Sequence, residues 1–575
     1  MLRRFKFLLP SLIASAFLVT SSAAANQPLG AYLAGRLALH DNEFGFAVQY
    51  FSKAHETDAD NLEIIQNLIL ALTAKGNFER ATYFAEQIEP VENINNFSEL
   101  VVLADLARKE HFNAILAKTD KELTTGTLSN DLCRAWAYLG KGSVRKALDA
   151  FDTIISNESL SIIGRYHKAL ALSLMGDFKQ AEVILTENEQ VALRMGSKGI
   201  ITHVEILSQL NRNTDALELI EETLSYPSNQ ELLKITSDLK AGKTLPFTQV
   251  ISAKDGIAEV FMTIAMAYQE ANQEDTKINE LIYRRLAFHI RPDHFDIVIS
   301  IARILDSLKQ FDLAISAYKL IPSSHHQFVI AEQDRANVLN RAGKPNAAIE
   351  VLEQLAIDYA NLPSVFSATG DLYRQIKNYE NAVKSYSRAL NITANNDQSK
   401  WYLYFVLGIS YERLNQWKSA EANFRAALEI RPNEPRVLNY LGYSLVEKQT
   451  NLKEALDMIE RAVAARPNNG YMVDSLGWVL YRLNRFEESV KYMERAVELE
   501  PIDPVINDHL GDVYWANGRY REAEFQWKRA LSYVDSDNLP QDIDLKRIQR
   551  KLAVGLDIVL KEEGAPPLEI AHDDH

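Results

Sequence analysis

The sequence predicts an all-α protein in which helical hairpins stack into a solenoid. A phrase is repeated 34 residues apart, as LGWVLYRLNRFEESVKYMERAVELEP (476–501) and LGDVYWANGRYREAEFQWKRAL (510–531). Each repeat holds two apolar stretches with helical spacing, and only 23 Gly and 17 Pro occur in 575 residues. A chain of 575 residues is too long to form one compact core, so several domains or a repeat array are expected.

Small residues recur in register and predict close packing of two antiparallel helices per unit. A first alanine position is occupied, at intervals of 34 to 38 residues, by Ala314, Ala348, Ala382, Ala420, Ala455, Ser489 and Ala523. A glycine position is occupied by Gly370, Gly408, Gly442, Gly477 and Gly511, and a second alanine position by Ala389, Ala427, Ala462, Ala496 and Ala530. One hairpin cannot bury its own apolar faces, so the units must stack.

The same period continues more faintly toward the N-terminus, through Ala47, Ala81, Ala114, Ala147, Ala181 and Ala216. We therefore predict a divergent array over 26–238, an irregular insertion over 239–257 and a regular array over 258–533. A capping helix is expected over 541–562, with Lys546, Arg547, Arg550 and Lys551 largely off its apolar face, and a disordered tail over 563–575.

The repeated phrase resembles the tetratricopeptide repeat (TPR). LGISY (407–411) and LGDVY (510–514) match its first-helix signature, and AEANF (420–424) and AVKSY (382–386) match its second. The resemblance implies a TPR α-solenoid, a right-handed superhelix of about fourteen hairpins, in two halves with a C-terminal capping helix.

Composition and motifs argue against nucleic-acid binding and catalysis. The net charge of −15 repels phosphate backbones, and the one cysteine, Cys133, is expected to be a small buried helix residue. The sequence has no GxxxxGK[ST], HExxH, GxSxG or CxxC motif, so we predict no enzyme, cofactor or metal site. We expect adjacent His325 and His326 to be a surface pair with rings pointing apart, and His572 and His575 to lie in the flexible tail.

Residues 1–25 have the pattern of a secretory signal peptide. A basic start, MLRRFK, precedes the apolar run FLLPSLIASAFLV and small residues up to Ala25. An uncleaved anchor is the alternative. No cysteine follows the apolar run, so we expect a periplasmic protein, soluble or peripheral, without a lipid anchor.

In a TPR stack the first helices line the inner wall, where we expect a partner protein or peptide to bind. We define the inner-face positions as the second, fifth, ninth and twelfth of each first helix. They hold the predicted site residues Tyr402, Phe405, Asn439, Tyr443, Asp474, Trp478, Tyr481, Asp508, Asp512 and Trp515, besides Tyr471; Trp136 takes a ninth position in an earlier unit. Aromatic rings among carboxylates suit a peptide with apolar anchors and basic groups. The alternative is that several rings pack between neighbouring helices.

The stretch 441–501, with HLGDVYWANGRYREAEFQWKRAL after it, is similar to the large envelope TPR proteins of Gram-negative bacteria. Their best-understood type is an adaptor that brings cell-wall hydrolases to a carboxyl-terminal processing protease. The resemblance implies a non-enzymatic periplasmic adaptor with these partners. The alternative is a component of an envelope assembly machine or of a polysaccharide or protein export machine.

Overall fold

The computed structural model describes residues 27–88, 97–119, 127–187, 190–223, 230–271, 276–394, 397–534 and 543–565. These residues are all-helical and contain no strand. They form two compact units, 1–351 (unit 1) and 352–575 (unit 2), which meet within one helix, Pro345–Asp358. The predicted signal peptide, 1–25, and residues 566–575 of the predicted tail lie outside the described residues.

Unit 1 is built from helices that pack against their sequence neighbours as hairpins. Its helices are α1 (Gln27–His40), α2 (Phe44–Thr57), α3 (Leu62–Lys75), α4 (Phe78–Ala85), α5 (Phe97–Arg108), α6 (Phe112–Thr119), α7 (Leu128–Gly140), α8 (Val144–Ile155), α9 (Ser161–Leu174), α10 (Phe178–Thr186), α11 (Gln190–Arg194), α12 (Gly196–Gln209), α13 (Asn213–Thr223), α14 (Gln230–Lys240), α15 (Ala253–Ala271), α16 (Lys277–Ile290), α17 (Phe295–Ser307), α18 (Phe311–Tyr318), α19 (Phe328–Arg341) and α20 (Pro345–Asp358), which crosses the boundary.

Unit 2 repeats the same hairpin with little variation. Its helices are α21 (Pro363–Gln375), α22 (Tyr379–Ile392), α23 (Lys400–Arg413), α24 (Trp417–Ile430), α25 (Pro435–Glu447), α26 (Leu452–Ala465), α27 (Gly470–Arg482), α28 (Phe486–Leu499), α29 (Pro504–Ala516), α30 (Tyr520–Tyr533), α31 (Leu545–Val554) and α32 (Leu556–Glu562). Proline opens α21, α25 and α29, where its missing N–H costs nothing and its fixed φ suits a first helical turn.

The glycine of each unit 2 hairpin receives a large side chain from the second helix. A Cβ on Gly408 would lie closer than 3.0 Å to the ring of Phe424, and one on Gly511 closer than 3.0 Å to Trp527. The first-position alanines Ala382 and Ala420 are fully buried. The predicted close approach of the paired helices is therefore what the structure shows.

The turns inside the hairpins, where they are described, commonly pass through a left-handed residue. Asn42 (φ 62°), Gly76 (φ 88°), Asn211 (φ 61°), Asn415 (φ 58°) and Gly518 (φ 72°) are examples from both units. Glycine and asparagine adopt this conformation at the lowest cost, and it reverses the chain after the first helix.

A non-helical segment separates α14 from α15. The predicted insertion spans 239–257, whereas the helix-free stretch is 241–252, because α14 runs to Lys240 and α15 begins at Ala253. The Glu205 carboxylate on α12 accepts hydrogen bonds from the N–H and hydroxyl of Thr248, at 2.9 and 2.6 Å. The segment is thus fastened to unit 1.

The hairpin α15–α16 then packs on the first helices of four earlier hairpins. Helix α15 contacts α5, α7 and α9, and α16 contacts α3 and α5. We call α3, α5, α7 and α9 the inner row of unit 1. The chain itself covers this row.

The C-terminus ends in two helices where we predicted one over 541–562. Gly555 (φ 87°) breaks the helical run between α31 and α32, because a left-handed glycine ends an α-helix. Among the described residues, no helix has the length and apolarity needed to cross a bilayer.

Candidate partner-binding face

The predicted site residues of unit 2 divide into half-buried and buried groups. Five inner-face residues are half-buried: Tyr402, Asn439, Tyr443, Asp508 and Trp515. Five are buried: Phe405, Asp474, Trp478, Tyr481 and Asp512. Partner binding by these residues stays a prediction, and the half-buried group is the one that retains accessible surface.

The middle of the inner face carries accessible aromatic and amide groups. The Tyr402 hydroxyl donates to Asp371 Oδ1 at 3.0 Å, and the Tyr386 hydroxyl donates to the same oxygen at 2.7 Å. On the next first helix, Asn439 Oδ1 is buried and has no hydrogen-bond partner. An unpaired buried carbonyl oxygen is uncommon, because burial without a partner costs about 1–3 kcal/mol. The oxygen itself is not exposed, so the accessible part of this region is formed by other atoms of these half-buried side chains.

Trp478 packs between neighbouring first helices. Its ring stacks on His509 of α29, with centroids 4.0 Å apart and planes 12° from parallel. It also stacks on Tyr481 at 4.8 Å, and its N–H donates to Glu447 Oε1 at 2.7 Å. Only 7% of Trp478 is exposed, so its ring offers a partner little surface.

His509 beneath this ring is paired with Asp474. Its Nδ1 lies 3.0 Å from Asp474 Oδ1. Burial alone would lower the pKa of His509, but the charge and hydrogen bond of Asp474 raise it above its ordinary value, and Asp508 and Glu447 act in the same direction. The raised pKa favours the protonated ring in the folded protein over the unfolded chain.

The His509–Asp474 pair predicts that folding stability depends on pH, and that the direction of this dependence reverses in Asp474→Asn. Because the folded pKa is raised, the stability that His509 contributes is complete below its unfolded pKa, about 6.5, and is lost as pH rises through the folded pKa. In Asp474→Asn, burial dominates and lowers the folded pKa, so the contribution is lost as pH falls below about 6.5.

Thermal unfolding midpoints between about pH 5.5 and 9 will test this. The midpoint of Asp474→Asn relative to wild type should rise as pH increases, and His509→Gln should show neither dependence. Parallel curves for all three proteins would contradict a charged His509.

Helix α31 supplies the cation, Lys551, that pairs with Asp508 and Asp512, the last two aspartates of the predicted site. Lys551 of α31, only 1% exposed, donates to Asp508 Oδ1 at 2.9 Å and Asp512 Oδ1 at 2.6 Å. Arg547 Nη1 reaches Asp512 Oδ2 at 3.2 Å. Burial would raise the pKa of Asp512, but Lys551 and Arg547 hold it below its ordinary value, while burial dominates at Asp508 and raises its pKa.

We expected Lys551 to lie largely off the apolar face of the capping helix, whereas its side chain is buried. We predicted that the carboxylates of Asp508 and Asp512 would contact basic groups of a partner. Both contact Lys551 of the same chain instead. Trp515 is engaged by the same helices: its N–H donates to Asp557 Oδ2 at 2.9 Å. This end of the inner face is therefore occupied by the chain itself.

In unit 1 the predicted inner-face residue Trp136 is fully buried beneath α15. Gly256 of α15 lies against the Trp136 ring, and a Cβ there would come closer than 3.0 Å to it. Trp136 N–H donates to His167 Nδ1 at 3.1 Å, and His167 Nε2 then donates to Thr263 Oγ1 of α15 at 3.2 Å. Burial lowers the pKa of His167 to about 4, which keeps the ring neutral and this chain of bonds intact.

Polar and aromatic contacts also fix the α15–α16 hairpin to other helices of unit 1. The Tyr166 hydroxyl donates to Glu259 at 3.1 Å, and Lys198 forms an ion pair with the same carboxylate. On α16, His289 stacks on Phe78 with centroids 4.2 Å apart. The sequence analysis did not predict that α15–α16 would cover the inner row, because the repeat period does not show which helices fold back onto earlier ones.

Cys133 is buried in α7, as the sequence predicts. Burial raises the pKa of its thiol to about 12, so the reactive thiolate is not populated near neutral pH. Its environment therefore suits packing and is unsuited to nucleophilic chemistry.

Comparison with known proteins supports the repeat assignment. Tetratricopeptide repeat family models match residues 363–433, 405–470 and 475–537. A TPR repeat-containing protein of Pseudomonas aeruginosa is 21% identical over 197 residues, 33% of this chain. That match spans only 31% of the relative's own length.

Solved TPR-type structures align with nearly the whole chain at low similarity. The Cut9–Hcn1 hetero-tetramer of the APC/C is 12% identical, covers 94% of this chain and 98% of its own, and has a TM-score of 0.38. Yeast Tom70 is 14% identical, covers 93% and 98%, and has a TM-score of 0.35. The family matches and the hairpin geometry together identify residues 363–470 and 475–537 as tetratricopeptide repeats.

Proposed function

We propose that this protein is a non-enzymatic protein-interaction scaffold whose partner binds the middle of the unit 2 inner face. One contrast carries the proposal. The inner row of unit 1 is covered by α15–α16, whereas Tyr402, Asn439 and Tyr443 on α23 and α25 remain half-buried. Tetratricopeptide repeats generally mediate protein partnerships, and these residues are the accessible part of the predicted site.

The chemistry of this face favours an extended peptide with apolar side chains. Asp371, Asp474, Asp508 and Asp512 already have partners within the chain, so little unpaired negative charge is left for a basic ligand. The half-buried tyrosine rings of this face suit apolar anchors. From the sequence we expected a peptide with apolar anchors and some basic groups; of these, the apolar anchors are the part that we keep in this proposal.

We further propose that the scaffold is exported, with residues 1–25 as its signal, and acts as an envelope adaptor for a carboxyl-terminal processing protease and its cell-wall hydrolase substrates. This finer role depends on the sequence resemblance of 441–501. Cell fractionation and N-terminal sequencing of the mature protein test the export; the chain should begin at Asn26 and appear in the periplasmic fraction.

Affinity purification from a crosslinked envelope fraction tests the scaffold. We expect a processing protease and cell-wall hydrolases to co-purify, and Asn439→Ala with Tyr443→Ala to weaken capture at least tenfold, about 1.4 kcal/mol. The matched control is Tyr520→Ala with Phe525→Ala, two exposed residues on the second helix α30.

Equal capture by both double variants would place the partner site elsewhere. Recovery of assembly or export components alone would overturn the protease role and leave the scaffold in place. Circular dichroism of each variant confirms that its helices are intact.

A further inference from the structure

A cluster of histidine and carboxylate side chains lies where α17 begins and where the loop before α19 ends. It comprises Asp296, His325 and His326, and one ligand atom from each lies within 4.8 Å of the others. We predicted that the two histidine rings point apart. That expectation is wrong, because their centroids are 4.3 Å apart and both Nε2 atoms face the same carboxylate oxygen.

The spacing of these atoms is close to that of a metal site. Asp296 Oδ1 lies 3.7 Å from His325 Nε2 and 3.8 Å from His326 Nε2. Ligand atoms about 2.0–2.1 Å from a tetrahedral Zn²⁺ lie about 3.4 Å from one another. Shifts of a few tenths of an ångström would bring the carboxylate oxygen to that spacing from each ring nitrogen.

The Gln327 side-chain amide now lies among the same atoms. Its nitrogen donates to Asp296 Oδ1 at 2.8 Å and to His326 Nε2 at 3.2 Å. An amide nitrogen can only donate, so His326 Nε2 presents a lone pair toward the cluster. The amide nitrogen therefore donates to Asp296 Oδ1 and His326 Nε2, two acceptors that a bound cation would otherwise contact.

His325 would have to change its tautomer. Its Nδ1 accepts the backbone N–H of Gln327 at 3.3 Å, which places the ring proton on Nε2. Coordination through Nε2 moves that proton to Nδ1 and breaks one long hydrogen bond, a small loss beside a metal–nitrogen bond.

His294 lies beside the cluster, next to the Asp296 carboxylate. Its Nδ1 is buried, has no hydrogen-bond partner, and lies 3.9 Å from Asp296 Oδ2. An unpaired buried nitrogen beside the Asp296 carboxylate is a second indication of a ligand.

We propose that Asp296, His325 and His326 form a site for a first-row transition-metal dication such as Zn²⁺, with His294 beside it. Imidazole nitrogens with one carboxylate are a ligand set for Zn²⁺, Ni²⁺ or Cu²⁺, whereas Ca²⁺ and Mg²⁺ require oxygen ligands. The bound ion would tie the loop 322–327 to the start of α17, joining two successive inter-hairpin connections.

Isothermal titration of the full chain with ZnCl₂, purified without a polyhistidine tag, tests the site. We expect one ion per chain and at least tenfold weaker binding in His326→Ala and in Asp296→Asn. Zn²⁺ should raise the thermal midpoint of wild type but not of these two variants. The matched control is His572→Ala with His575→Ala, which removes the tail histidines and should leave binding unchanged.

A gain-of-affinity variant keeps the test informative if a loss variant folds poorly. Gln327→Glu exchanges the competing amide for a carboxylate in the same place, and we expect it to bind Zn²⁺ at least tenfold more tightly. Absence of binding to wild type, loss of binding in the tail variant, or a Gln327→Glu affinity equal to that of wild type would each overturn the proposal.

Discussion

Replacing Lys551 with methionine is expected to cost about 3–5 kcal/mol and to loosen the end of unit 2, because it leaves two carboxylates without their buried cation. Lys551 is the nearest cation to both Asp508 and Asp512, and its side chain has no access to solvent. Hydrogen exchange should accelerate in α29 to α32, and the thermal midpoint should fall.

Two further variants separate charge from packing. Lys546→Met alters an exposed lysine of the same helix and should change stability by no more than about 0.5 kcal/mol. Adding Asp508→Asn and Asp512→Asn to Lys551→Met removes the unpaired charges and should recover part of the loss. If Lys551→Met behaves like Lys546→Met, the ion cluster does not hold the terminal helices in place.

A valine at Gly256 is expected to destabilise unit 1 by about 3 kcal/mol, because its side chain would overlap the Trp136 ring. Trp136 cannot move aside easily: it is fully buried and hydrogen-bonded to His167. We expect faster hydrogen exchange in α7 and α15 and a lower thermal midpoint.

Gly45→Val is the matched control. Gly45 also lies in a helix, but a Cβ there meets nothing within 4 Å. Its effect should stay within about 0.5 kcal/mol in either direction, as helix propensity dictates. Equal effects of the two valines would mean that α15 does not pack tightly on the inner row.

The regular hairpins of unit 2 were predictable because their glycines and alanines obey one steric rule. Each first-helix glycine faces a large residue of the second helix, as Gly408 faces Phe424, and the sequence spacing preserves that pairing. A second periodic signal was available in the divergent half: left-handed turn residues recur at Asn42, Gly76 and Glu110, 34 residues apart. Following the Gly and Asn positions would have located several of these turns.

The accessible part of the binding face could not be read from the sequence. Inner-face position alone puts Trp478 and Tyr443 in the same class, yet one is buried against His509 and the other is half-buried. Burial there depends on contacts between helices more than thirty residues apart. Lys551 shows the same limit, because amphipathic spacing assigns a charged residue to solvent unless a buried counter-charge lies opposite.

The return of α15–α16 to the inner row changes how unit 1 can fold. In an ordinary repeat array each hairpin touches only its neighbours, and folding can spread from any point. Here His289 contacts Asp105, which is 184 residues away in the sequence. The entropy lost in closing this long loop opposes folding until the core is complete. Until residues 253–290 have left the ribosome, α15–α16 cannot cover the apolar side chains of the inner row. Unit 1 therefore completes its folding late and as one cooperative body, during a period in which a chaperone would have surface to bind.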